Sequence, residues 1–276
     1  MMDRRLTPFS GRIAHVSLQG QVEAERFTEG AWERVIRPTA DIDRKPGGAR
    51  DRQLLWGDRV LVIDRQEGCA FIQSEKDGYC GWLPEAALGP DHPVTHRVIT
   101  PFSQIYPSPE VEQRERATLP WSAQVQVLGE VERFAETPYG FIPRAHLAPI
   151  AELEADPVAV AASFLGTPYL WGGNSRFGLD CSGLAQAALM ACGIAIPGDT
   201  DMQAKAGRPV QDDTVLLPGD LVFWKGHVAL VSGPDEIIHA TGAFMGVVRE
   251  SLSGAVARIR AQGKGEITAR RRYLPQ

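Results

Sequence analysis

The chain has 276 residues, of which 43% are hydrophobic and 23% charged. Those proportions suit a globular protein of two or three units and exclude disordered and fibrous classes. A net charge of -5 argues against a broad surface for nucleic acid or anionic lipid, because such binding relies on Lys and Arg neutralising phosphates.

Residues 1–35 match no repeat and read as an N-terminal arm. The first twenty residues lack the continuous apolar stretch of a secretory signal, and no later stretch is long enough for a membrane span. The expectation is a cytoplasmic protein. Next comes an internal repeat. Tyr79-Cys80-Gly81-Trp82-Leu83-Pro84 recurs in outline as Tyr139-Gly140-Phe141-Ile142-Pro143, each followed by Ala and Leu. Upstream, Trp56-Gly57-Asp58-Arg59-Val60-Leu61-Val62 matches Trp121-Ser122-Ala123-Gln124-Val125-Gln126-Val127. Apolar residues alternating between Gly, Pro and Asp predict short half-buried strands, and two such units suggest small barrels over 36–91 and 92–150. The Gly-aromatic-aliphatic-Pro strand resembles that of bacterial SH3-like domains.

The four cysteines, Cys69, Cys80, Cys181 and Cys192, fit no C-x-x-C metal or redox spacing. From residue 151 the pattern changes. Asp156 reads as an N-cap, Pro157 suits a first turn, and Val158, Ala161, Ala162 and Leu165 recur at helical spacing up to Gly166. A glycine-dense loop follows, and after it Cys181 opens an unbroken helical run closed by Gly193. A thiol at a helix start faces the positive end of the helix dipole and unsatisfied N–H groups, which predicts a lowered pKa and donors for an oxyanion. An inert packing cysteine is the competing reading.

Among six histidines, His227 and His239 fall twelve residues apart in two strand-like segments joined by Ser232-Gly233-Pro234-Asp235. A hairpin there sets both imidazoles on one face. Cys181 then serves as nucleophile, His227 as base and His239 as the group that orients the base. A zinc site built from the same three residues is the rival chemistry.

Five ordered blocks resemble the NlpC/P60 cysteine peptidases: Tyr169-x-Trp171-Gly172-Gly173, Asp180-Cys181-Ser182-Gly183, Pro218 through Trp224, His227-Val228-Ala229 and Ile238-His239-Ala240. With the SH3-like units, they further resemble γ-D-glutamyl-L-diamino acid endopeptidases. The resemblance implies an α+β chain: a papain-like catalytic domain over 151–276, helices packed on an antiparallel sheet, preceded by the two barrels. It assigns Cys181, His227 and His239 the roles already derived and adds Tyr169 at the oxyanion. It also implies that Asp180 and Ser182 recognise a free N-terminal L-Ala, with Thr200, Tyr79 and Asp58 near the substrate. Gly198 departs from the arginine usual in the Pro197–Gln203 block.

The implied reaction is hydrolysis of the γ-D-Glu to diamino acid amide in small murein peptides, with no metal or organic cofactor and no nucleic-acid or membrane partner. The alternatives are a non-catalytic peptidoglycan-binding module and a thiol amidase or acyltransferase acting on another amide.

Overall fold

Both copies of the repeat form the same local device. In the computed structural model, which describes residues 2–274, Cys80–Pro84 pairs with Cys69–Ser74, and Gly140–Pro143 pairs with Phe134–Thr137. Each Gly-aromatic-aliphatic-Pro strand runs into a single 3-10 turn and then a short strand, Leu88–Pro90 or Leu147–Pro149. The match extends to residues the sequence comparison left unaligned. Glu67 and Glu132 both take left-handed φ, 54° and 52°, in the hairpin turns that feed those strands. Gly57 and Ser122 do the same, at 85° and 70°, after the two tryptophans. Glycine at 57 has a second cause, since a Cβ there would lie 2.2 Å from the Gln124 carbonyl oxygen.

The chain divides into two compact units at Glu152/Leu153. In the first, a seven-stranded sheet runs in the order Arg50–Leu55, Thr39–Asp43, Cys80–Pro84, Cys69–Ser74, Arg59–Gln66, Ala31–Val35, Leu88–Pro90. Part of the stretch read as an arm is therefore strand: Ala31–Val35 pairs with Arg59–Gln66, and Ile13–His15 pairs in parallel with Arg26–Thr28. The strands of 96–149 form smaller sheets around Val98, Ile105, Leu119, Val125 and Ile142, and Trp56 packs into that core edge-on to Tyr139.

In the second unit, a six-stranded antiparallel sheet runs Arg208–Pro209, Ala269–Arg272, Leu221–Trp224, His227–Gly233, Glu236–Thr241, Gly246–Ser251. Its helices are α1 (Pro157–Ser163), α2 (Cys181–Ala191), α3 (Thr200–Gln203) and α4 (Leu252–Ala261). The caps follow the sequence: the Asp156 carboxylate accepts from Val158 N–H at 2.8 Å, and Gly193 follows α2 with φ 76°. α1 and α2 pack on each other and on the strands His227–Gly233 and Glu236–Thr241, while Ala255 and Ile259 of α4 join Val222, Trp224, Ala229, Val231 and Ile237 in a buried cluster. Arg272 closes the far side with two hydrogen bonds of 2.7 Å to buried Asp220. Among the described residues no helix is long and apolar enough to cross a membrane.

Candidate active site

The start of α2 is built by its neighbours in sequence. Asp180 is the N-cap: one carboxylate oxygen accepts from Gly183 N–H at 2.7 Å and from the Ser182 hydroxyl at 2.9 Å, and the other from Gly172 N–H at 2.9 Å. The Trp171-Gly172-Gly173 loop thereby docks on the helix start. The approach is too close for side chains, since a Cβ at Gly183 would sit 2.4 Å from the Gly173 carbonyl oxygen. Among the described residues the donors to Asp180 are uncharged, so its negative charge stays available to a cation.

Cys181 is 8% exposed. Burial, with the Asp180 carboxylate beside it, pushes the thiol up to about 11, against hydrogen bonding from Val228 and Ser182 backbone and the Thr200 hydroxyl. This reverses the pKa expected for a thiol at a helix start. The dipole and the N–H donors are present, but desolvation of a buried thiolate outweighs them. Thr200 opens α3, and its Oγ1 lies 3.7 Å from Cys181 Sγ. Gln203 holds that segment in place: its buried side-chain amide donates to Ser182 and Pro197 carbonyls at 3.0 Å each.

The two histidines meet across the hairpin. Leu230 pairs with Ile238, a register that sets His239 opposite Ala229 and leaves His227 diagonal to it on the same face. His227 Nε2 and His239 Nδ1 are 2.9 Å apart, and the ring centroids 5.1 Å. Burial, reinforced by nearby cationic groups, lowers His227 to about 3, and burial lowers His239 to about 4, so both imidazoles are neutral. The pair forms a hydrogen-bonded chain, not a convergent set of metal ligands. Among the described residues no group of three His, Cys, Asp or Glu side chains is placed to hold a metal ion.

A carboxylate that the sequence reading did not select stands behind His239. Glu250, on the next strand, brings Oε2 to 3.1 Å from His239 Nε2, although the ring N–H does not point squarely at it. Arg258 of α4 grips the same carboxylate through both oxygens, at 2.9 and 2.6 Å. Only the pairing of Glu236–Thr241 with Gly246–Ser251 brings Glu250 near His239, and no motif marks it.

Tyr169 is half-buried, and burial, with the Asp180 carboxylate nearby, raises its phenol pKa, which keeps the hydroxyl a donor. Tyr79 and Asp58 belong to the first unit. Tyr79 is 1% exposed with the Arg52 guanidinium over its ring, and Asp58 accepts from Leu55 N–H at 2.9 Å and carries Lys76 Nζ at 2.6 Å.

The NlpC/P60 family profile matches residues 166–263, and the bacterial dipeptidyl-peptidase SH3 domain profile matches residues 43–88. A gamma-D-glutamyl-L-lysine dipeptidyl-peptidase of Bacillus subtilis (strain 168) is 35% identical over 214 residues, 68% of this chain and 71% of that protein. The chain belongs to the NlpC/P60 family. Dipeptidyl-peptidase 6 of Lysinibacillus sphaericus is 33% identical over 232 residues, 68% of this chain and 79% of its own. The crystal structure of an NlpC/P60 family protein from Bacillus cereus shares the fold, with a TM-score of 0.75 over 89% of this chain and 100% of that one at 22% identity. The second unit is thus the papain-like NlpC/P60 cysteine peptidase unit, and an SH3 domain stands before it in the chain.

Proposed function

We propose that this NlpC/P60 peptidase hydrolyses the amide between γ-D-Glu and the diamino acid in L-Ala-γ-D-Glu-diamino acid peptides, acting on wall fragments in the cytoplasm. The observation that carries the reading is Asp180. Among the described residues it is a carboxylate with uncharged partners only, held by Ser182 and two backbone N–H groups one residue from the nucleophile. A negative charge there hinders thiolate formation, so its use lies in binding a substrate ammonium, the free amine of L-Ala.

The residues support a balanced acyl transfer. In this reaction His227 takes the tautomer that donates Nε2–H to His239 Nδ1, with His239 Nε2–H toward Glu250, which leaves His227 Nδ1 as the acceptor for the nucleophile. The thiol proton passes to His227 as sulfur adds to the γ-carbonyl carbon. Proton transfer accompanies attack because the resting pair is neutral. Tyr169 hydroxyl and N–H groups at the start of α2 receive the oxyanion. When the carbonyl re-forms, the C–N bond breaks and His227 protonates the leaving amine. Water, losing a proton to His227, then splits the thioester, and the sulfur recovers its proton. His239 steadies the imidazolium, with Glu250 and Arg258 behind it as positioning residues.

Thr200 lines the sulfur side of the cleft in this reading. Asp58 already neutralises Lys76, so the proposal sets the ammonium on Asp180 and Ser182. Tyr79→Phe and Asp58→Asn test whether the first unit takes part. Mass spectrometry of products from the tripeptide is the deciding measurement. Free diamino acid is expected from the wild type, none from Cys181→Ala, and far less from an N-acetylated peptide. Full activity in Cys181→Ala, or equal cleavage of the acetylated peptide, defeats the reading. Cell fractionation checks the location.

A further inference from the structure

The last strand, Ala269–Arg272, carries three consecutive arginines, and alternation along a strand sends neighbours to opposite faces. Arg270 and Arg272 reach the carboxylates of Asp212 and Asp220. Arg271, between them, has no carboxylate partner among the described residues, and its Nε donates to the Ala204 carbonyl at 2.6 Å. Tyr273, two residues on and so on the same side, donates its hydroxyl to the Gln203 carbonyl, also at 2.6 Å. Both acceptors lie at the carbonyl end of α3, whose C-cap is Ala204. A cation and a hydroxyl thus meet a helix end, where the backbone supplies few donors of its own.

A helix of four residues does not fix its own position, because a single turn of hydrogen bonds does not repay the cost of ordering it. α3 is held from outside: Gln203 ties it to α2, and the last strand grips its carbonyl end. Its first residue is Thr200, whose Oγ1 lies 3.7 Å from Cys181 Sγ. Either atom can donate while the thiol keeps its proton, but once that proton has gone to His227 only the hydroxyl can. At a sulfur 8% exposed, water is poorly placed to replace the donor. We propose that the last strand is a positioning device for the nucleophile: Arg271 and Tyr273 hold α3 so that Thr200 Oγ1–H donates to the Cys181 thiolate. The strand is itself anchored by the two hydrogen bonds of Arg272 to Asp220, a residue 1% exposed. Burial pushes the Tyr273 phenol up to about 12, so its hydroxyl remains a donor at neutral pH. The inference concerns the sulfur alone and holds for whichever amide the peptidase cuts.

Alkylation of Cys181 by iodoacetamide in the full chain, followed by mass spectrometry of the peptide that contains it, reads the thiolate without any substrate. At a fixed, mildly alkaline pH, Thr200→Val should slow it about threefold. A charge-assisted hydrogen bond is worth about a decade in thiolate, and about half of that decade returns as stronger intrinsic nucleophilicity. Thr200→Ser should restore the wild-type rate. Tyr273→Phe and Arg271→Met, with thermal midpoints confirming that each is folded, should each slow alkylation by part of the same factor. The Thr200→Val/Tyr273→Phe pair should be no slower than Thr200→Val alone, because the strand acts only through the hydroxyl. Direction separates this role from general support of the fold, since loosened packing exposes the sulfur and speeds alkylation. Rates unchanged or raised in Tyr273→Phe and Arg271→Met, effects that simply add in the double variant, or a wild-type rate in Thr200→Val overturn the proposal.

Discussion

In residues 2–152 the ionisable side chains pair with one another, tying loops to strands. Asp91 takes Arg34 and Arg59, Asp51 takes Arg4 and Arg44, and Arg12 reaches Asp64, mostly where water still has access. In residues 153–274 the groups that matter are treated in the opposite way. Cys181, His227 and His239 are withdrawn from water, and each is held in its neutral form. Charge near the site is left on Asp180 and on the lysines that line a cavity beside His227. The contrast shows why surface pairing and catalysis do not compete here: exposed pairs hold shape with small energies, whereas burial changes which protonation states exist.

The sharpest way to break this contrast is to remove the neutral centre. Cys181→Ala should lower kcat/KM for the tripeptide by about 10⁴-fold or more, the scale seen when a covalent nucleophile is lost, with the thermal midpoint retained. His239→Ala should follow at about 10² to 10³-fold, because an imidazole without its orienting partner takes the wrong tautomer for part of the time. Glu250→Gln should cost about tenfold or less and move the pH–rate profile, a readout that a purely structural role in the sheet does not touch.

The two histidines also predict how stability responds to acid. Their pKa values in the folded chain, about 3 and about 4, lie below the ordinary 6.5, so the unfolded chain binds more protons between those values. Stability is then complete above pH 6.5 and declines as pH falls toward the folded values, by up to about 1.4 kcal/mol per unit of displacement for each ring. Denaturant melts between pH 6.5 and 5 should show a shallower slope for His227→Gln than for the wild type. The smallest effect belongs to the first unit: Asp91→Asn should cost about 1 kcal/mol or less in a denaturant melt and leave kcat/KM where it was.

The sequence by itself determined what depends on near neighbours. The caps Asp156 and Asp180, the helix opened by Cys181, the stop at Gly193 and the hairpin that presents His227 and His239 all follow from periods of 3.6 and 2 and from residues a few positions apart. The repeat could be read in the same way, and the structure adds a shared left-handed conformation at the aligned pair 57/122 and extends the match to 67/132. Only the tertiary structure decided the rest. Glu250 reaches His239 through strand register, Thr200 reaches Cys181 because Gln203 pins α3 to α2, and Trp224 and Lys264 share a cavity although 40 positions separate them. The protonation state of the nucleophile belongs here too. A helix start alone favours a thiolate, and burial reverses that preference, because desolvation depends on everything packed around the sulfur and not on the residues beside it in the chain.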